Sequence, residues 1–391
     1  MLTDKQIEAL CEELVAIYNR MEMQLFKDVI MRFQTYEEAT GALKWNLNQL
    51  EELGLLNRQA VETISEYSGR GKEAIREMLK KAQFANFDKD DLQEAYKSGM
   101  IQLSMEQLQK LPIVKQLQNA AYKGFVNDTI KLIETKALES TKQAYMTALN
   151  QAYIESASGT YSHNQAITRA IEAMAKHGIY GATYRREDGT IRCMSIEAVV
   201  RRDAISASTR LANDTMAKCA EEMGAEYVET TSHLGARIGD GQHDHTNHAW
   251  WQGKVYALHG KGSAEANEAV GYEIQNFAET TGYGEVDGIG GVNCRHRFFA
   301  FFPGITTQAA EHYDEEKNAE IYQATQKQRR LERNIRRWKK VRDAMKAMED
   351  TPETMAAADK EQQHIDKLSQ ILEAHCDKYD LRRSSAREQY K

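Results

Sequence analysis

Only three prolines, Pro112, Pro303 and Pro352, occur in 391 residues, and this scarcity sets the first constraint on the fold. An interior proline removes a backbone hydrogen bond and clashes with the preceding turn, so a chain almost free of it can carry long uninterrupted helices. The distribution of glycine sets the second. Thirteen of the 24 glycines fall between Gly235 and Gly304, six of the 11 histidines lie between His233 and His296, and two of the four tryptophans are Trp250 and Trp251. A Gly-, His- and aromatic-rich island between helical arms is where unusual backbone geometry and reactive side chains concentrate. The expected fold is mainly α with a central α+β domain, a long helical N-terminal arm and a C-terminal helical hairpin. Composition divides the chain at 1–177, 178–304 and 305–391.

In the arm, a cap at Thr3 precedes Leu10, Leu14, Ile17, Met21, Leu25 and Val29, which step by three or four as a buried helical face requires. The helical pattern continues past Trp45, with breaks expected near Gly54 and Gly69 and a further helix over 73–85. Asp88 to Asp91 offers caps. Leu111-Pro112 marks a boundary, because the residue before proline is pushed out of helical geometry. One or two helices follow over 114–154, and another over 162–177 ends at Gly178. In the middle segment, from Gly178, Asp188-Gly189 between short runs predicts a hairpin. A helix over 195–223 precedes antiparallel strands over 226–233, 254–258 and 297–302, with a helix expected over 263–280. The last region predicts a helix over 306–348 and, capped by Thr351 with Pro352 at its first position, a returning helix.

An apolar share of 41% supports real cores, and a net charge of −7 argues against general coating of nucleic acid. No run of 18 apolar residues predicts a membrane span. The first residues lack a secretory-signal pattern. Five scattered cysteines fit reduced thiols better than a disulfide framework. One window departs from the acidic balance. Residues 327–346 hold ten cations against Glu332 and Asp343, a net of +8. Arg329, Arg330, Arg333, Arg336, Arg337, Lys339 and Lys340 surround an apolar seam anchored by Trp338. They are candidates for contact with DNA phosphate or an acidic protein, with the basic face expected outward.

His248, Cys294 and His296 are the candidate metal ligands, since imidazole and thiolate bind zinc. Their spacing is unlike that of structural zinc modules, and His243, Asp244 and His245 have a sufficient explanation as a polar turn. The expectation is therefore no catalytic residue, no cofactor and no stoichiometric zinc. The same centre supports a second reading, a metal- or cysteine-dependent hydrolase or nuclease, with His233 or His248 as base to Cys294. A third is an internal DNA-contacting protein.

An ordered set of motifs carries a resemblance. It comprises His233, Gly235, Ala236 and Arg237, then His248, then Trp251, Gln252, Gly253 and Lys254. Gly282 and Tyr283 follow, then Asn293, Cys294, Arg295 and His296, then Pro303 and Gly304. This order resembles the tailed-phage minor capsid protein family, type 2, related to phage Mu-like head morphogenesis proteins. The likeness covers about 110–391, with the first hundred residues alike only in being helical. The loop from Ile238 to Asn247 departs from it, since a shorter, proline-containing link is implied. The resemblance implies a structural virion component near the portal, acting in head assembly or DNA packaging, and no established catalysis. Its implied partners are portal, major capsid or scaffold proteins and packaged DNA. Its implied location is the capsid interior or portal vertex, after synthesis in the bacterial host cytoplasm.

Overall fold

A computed structural model of the chain describes residues 4–34, 42–186, 188–308 and 310–390; the expected cap at Thr3 and the side chain of Trp45 lie outside the described residues. In chain order the helices are α1 (Asp4–Gln34), α2 (Ala42–Ala82), α3 (Lys89–Lys97), α4 (Met105–Gln109) and α5 (Pro112–Phe125). A π-helical turn, Val126–Ile130, joins α5 to α6 (Lys131–Ala157), and α7 (His163–His177) follows. Strands β1 (Tyr180–Arg185) and β2 (Ile191–Ser195) then lead into α8 (Ile196–Met223). Beyond it come β3 (Tyr227–Thr230), α9 (His248–Trp251), β4 (Val255–Ala257), α10 (Ala264–Val270), α11 (Phe277–Thr281) and β5 (Phe298–Phe301). The chain closes with α12 (Glu315–Lys346), α13 (Pro352–Tyr379) and α14 (Ser385–Glu388). The fold is thus mainly α with an α+β centre.

The helix ends follow from local chemistry. Asp88 accepts from the backbone of Asp90 and Asp91 at the start of α3. Ser162 and Gln165 form a reciprocal capping box on α7, and Thr351 and Thr354 form one on α13, with Pro352 at its first position. Two expected breaks are absent. α2 runs unbroken past Gly54 and Gly69, since glycine weakens a helix without forbidding it. The helix expected over 73–85 is the end of that same element.

The chain forms two compact units, each drawn from three stretches, whereas composition divides it into three consecutive segments. The first unit is 1–12, 74–125 and 201–326; the second is 13–73, 126–200 and 327–391. In the first unit β3 pairs antiparallel with β4 on one side and β5 on the other. Every residue of the three strands is buried. Val228, Tyr256 and Phe298 pack with Met216, Ala220 and Phe277. Tyr227, Val255 and Phe301 pack with Ala266 and Ile274. A sheet covered on both faces explains why Phe298, Phe299, Ala300 and Phe301 form a continuous apolar run instead of alternating.

Two further expectations are corrected in this unit. The segment 263–280 is two short helices, because Gly271 ends α10 in a left-handed conformation and Asn276 caps α11. The last long helix starts at Glu315 rather than 306. Residues before it are held to the sheet region: Gln308 Nε2 donates to the Gly253 carbonyl and Ala310 N–H to Glu229. Asp314 then accepts from Lys317 N–H and starts α12.

In the second unit β1 and β2 form the expected antiparallel hairpin, although its turn is wider than an Asp-Gly pair and only Gly189 of the two has positive φ. Leu331 and Ile335 of α12 pack with Ile365, Leu372 and Cys376 of α13, beside Trp338. Among the described residues, no helix is long and apolar enough to cross a membrane.

Candidate functional site

The island's histidines and cysteine converge in the first unit. His248 comes from α9, while Cys294 and His296 stand on the segment entering β5. The Cys294 Sγ lies 3.6 Å from His248 Nδ1 and 3.7 Å from His296 Nδ1. All three residues are buried, at 2%, 2% and 1% exposure for His248, Cys294 and His296. Trp251 packs edge-on against His296 with ring centroids 4.8 Å apart, and His233 stacks on His296 at 4.4 Å. Burial is the main cause that lowers the His248 pKa to about 4 and holds His296 well below the usual imidazole range, so both rings are neutral near pH 7.

The outer contacts fix the tautomers. His248 Nε2 is 2.7 Å from the Asp287 backbone oxygen, which can only accept. Gln252 Oε1 accepts from the His233 N–H at 2.9 Å, which identifies that atom as the amide oxygen. The same oxygen lies 2.9 Å from His296 Nε2. Both rings therefore carry their proton on Nε2 and direct an Nδ1 lone pair toward the Cys294 sulfur.

The motif residues around this cluster are brought together by backbone contacts. Asn318 Oδ1 accepts from Gly235 N–H and Ala236 N–H, and its Nδ2 donates to the Ala236 carbonyl. Arg237 Nη2 donates to the Val292 carbonyl at 2.7 Å. Trp251 Nε1 donates to the His245 carbonyl, and Tyr283 Oη donates to Asp214. Lys254 Nζ lies 5.5 Å from the Trp250 ring centroid. Arg295 pairs with Glu8 at 2.5 Å, and Asn293 has a φ of 58°. Gly288 is required by close approach: a Cβ there would lie 2.0 Å from the Gly282 carbonyl oxygen. Gly253, Pro303 and Gly304 sit in the turns that leave α9 and β5.

His243 and His245 stand apart from the cluster. His243 stacks on Trp250 and pairs with Glu315, and His245 contacts Asp287 at 3.2 Å. Asp244 closes its own turn by accepting from the N–H and hydroxyl of Thr246. Sequence reasoning missed Asn213, Asp287 and Asn318. Asn213 Nδ2 donates to the His296 carbonyl and Asp287 orients His248 through its backbone. Isolated Asn and Asp residues carry no periodic or spacing signal that would reveal these roles.

The basic candidates belong to the second unit, and the expectation of an outward basic face needs correction. Arg330, Arg333 and Arg337 are exposed, while Arg329 and Lys339 are half-buried. Arg336 and Lys340 are buried. Arg336 Nε donates to Glu197 at 2.8 Å, and its Nη1 meets the Arg387 carbonyl. Lys340 Nζ lies 2.6 Å from Glu22 Oε1. Arg337 Nε donates to the Lys176 carbonyl. Carboxylates on helices distant in sequence recruit Arg336 and Lys340 inward, because a buried charge requires a partner.

These features define a helical protein with a small, fully covered sheet and a buried His/Cys cluster laced by backbone contacts. The phage minor capsid protein 2 family matches residues 2–377, and the chain belongs to that family. The match includes the first hundred residues, which the motifs had left outside the resemblance. A structural protein of Lactococcus phage LL-H is 25% identical over 318 residues, 80% of this chain and 81% of that protein. A structural protein of Lactococcus phage mv4 is 38% identical over 58 residues, 15% of this chain and 47% of that one. No solved structure matches. The chain is a structural phage protein.

Proposed function

We propose that this protein is a low-copy component of the phage head, seated near the portal vertex and acting in head assembly or DNA packaging. The observation that carries the reading is the family match over residues 2–377, which includes residues of both compact units. Long helices with charged outer faces supply surface for neighbouring head proteins, and portal, major capsid and scaffold proteins are the partners proposed. The location proposed is the capsid interior or portal vertex, following synthesis in the host cytoplasm. The structural reading is preferred to a hydrolase or nuclease because Cys294 and both imidazoles are buried and face one another, leaving no approach for a scissile bond in this conformation. A nonsense mutation in the gene provides the test. Particles made without the protein are expected to assemble poorly or to lack packaged DNA. Normal yields of DNA-filled, infectious particles would refute the role.

Contact with packaged DNA is a second reading, favoured by the exposure of Arg330, Arg333 and Arg337 on one helix. Arginine is suited to phosphate by its planar, multiply donating group.

A further inference from the structure

We propose that His248, Cys294 and His296 form a zinc site that fastens α9 to the segment entering β5. This reverses the expectation of a metal-free protein, which rested on sequence spacing. The fold removes that objection, because groups 46 positions apart come within 3.6 Å.

Proton counting exposes a conflict in the metal-free cluster. Asp287 and Gln252 fix the ring protons on Nε2 of both histidines, so two Nδ1 lone pairs face one sulfur. A thiol has a single proton. Without a metal it can satisfy one lone pair, and the His296 carbonyl, 4.0 Å from the sulfur, competes for the same proton. Leaving a buried acceptor unsatisfied is unfavourable. A zinc ion removes the conflict by accepting all three pairs at once. On binding, the thiol releases its proton to solvent and the thiolate and two neutral imidazoles donate to the metal.

The geometry suits that ion. Zinc lies about 2.3 Å from sulfur and about 2.0 Å from imidazole nitrogen, which places tetrahedral S and N ligands about 3.5 Å apart. The observed sulfur–nitrogen separations are 3.6 and 3.7 Å. The three ligand atoms lie within 4.8 Å of one another, and binding would draw the two imidazole nitrogens to about 3.3 Å. A backbone carbonyl and an anchored amide oxygen on the far ring nitrogens are the outer contacts that orient histidine ligands for a metal. The mixed sulfur and nitrogen set favours zinc over magnesium or calcium, which prefer oxygen. Three protein ligands leave one tetrahedral position for water or for His233, whose ring already stacks on His296.

The test uses the full chain without an affinity tag, purified reduced and without chelator, with zinc and cobalt as the probes. Elemental analysis is expected to find about one zinc per chain. Cys294→Ser and His296→Ala should lose it, while His243→Ala, at an exposed ring on Trp250, should keep it. The wild-type protein, stripped and titrated with Co(II), should show tetrahedral d–d bands and a thiolate-to-cobalt charge-transfer band that zinc abolishes. The cobalt titration remains decisive even where a variant fails to fold. Wild-type protein with neither bound zinc nor the charge-transfer band would overturn the proposal, as would full zinc content in a folded Cys294→Ser variant.

Discussion

Glu22 and Lys340 show how far a residue's role can depart from its composition. Their charged atoms meet at 2.6 Å, with side-chain exposures of 0% and 9%. Glu22 Oε1 also accepts from the Ile179 N–H at 3.2 Å. Replacing Lys340 by Met leaves a buried carboxylate without its counter-ion, which is expected to cost about 3–5 kcal/mol. The double change Glu22→Gln with Lys340→Met should recover most of that loss. Urea denaturation midpoints of the three proteins check both statements; a single change costing under about 1 kcal/mol would mean the pair is solvated. None of this was legible in the sequence, where Lys340 is one of ten cations in a run and Glu22 lies 318 positions away. The identity of the cluster residues was legible, because His248, Cys294 and His296 are chemically distinctive. Their orienting partners were not, because a backbone carbonyl at Asp287 leaves no trace in side-chain pattern.

At the scale of elements, α2 tests what glycine does inside a helix. A Cβ on Gly69 would meet nothing within 4 Å, and the position has no positive φ. Gly69→Ala should therefore stabilise the protein by about 0.5–1 kcal/mol. A Cβ on Gly71 would lie 2.7 Å from the Tyr18 hydroxyl and 2.8 Å from its ring, and Tyr18 is fully buried. Gly71→Ala should be destabilising by about 1–3 kcal/mol, as overpacking is. Opposite shifts in the thermal midpoint check the pair; shifts of the same sign would contradict the close packing. The sequence shows both positions only as glycines, and a break is expected near Gly69, as near Gly54, where the helix in fact continues. Helical stripes, caps and the strands of the central domain were legible because period and capping chemistry are local. The start of α12 was not, since contacts from Gln308 and Ala310 to the sheet region decide it.

The basic helix makes a prediction of the same scale. Arg330→Glu with Arg333→Glu alters exposed cations and should weaken binding of the full chain to duplex DNA at low salt. The slope of log affinity against log salt should become shallower by about 0.9 for each phosphate no longer neutralised. Arg336→Glu is a poor probe, because it would set an acid against Glu197 inside the unit and act through stability. Salt-independent binding, or none at low salt, would leave these arginines to a protein partner.

At the scale of the whole molecule, the mainly α fold with its α+β centre was legible from proline scarcity and the clustering of glycine and histidine. The two compact units were not, because each gathers three separated stretches and no composition boundary marks them. Family membership, read first from ordered motifs in the island and beyond it, extends over residues 2–377. The proposed role places this structural protein at one site in the head. An asymmetric reconstruction of DNA-filled heads, with antibody labelling of this chain, tests it directly. Density and label are expected at a single vertex, beside the portal, in a few copies per particle. Label spread over every vertex or capsomere, or absence of the chain from heads at all stages of assembly, would contradict it.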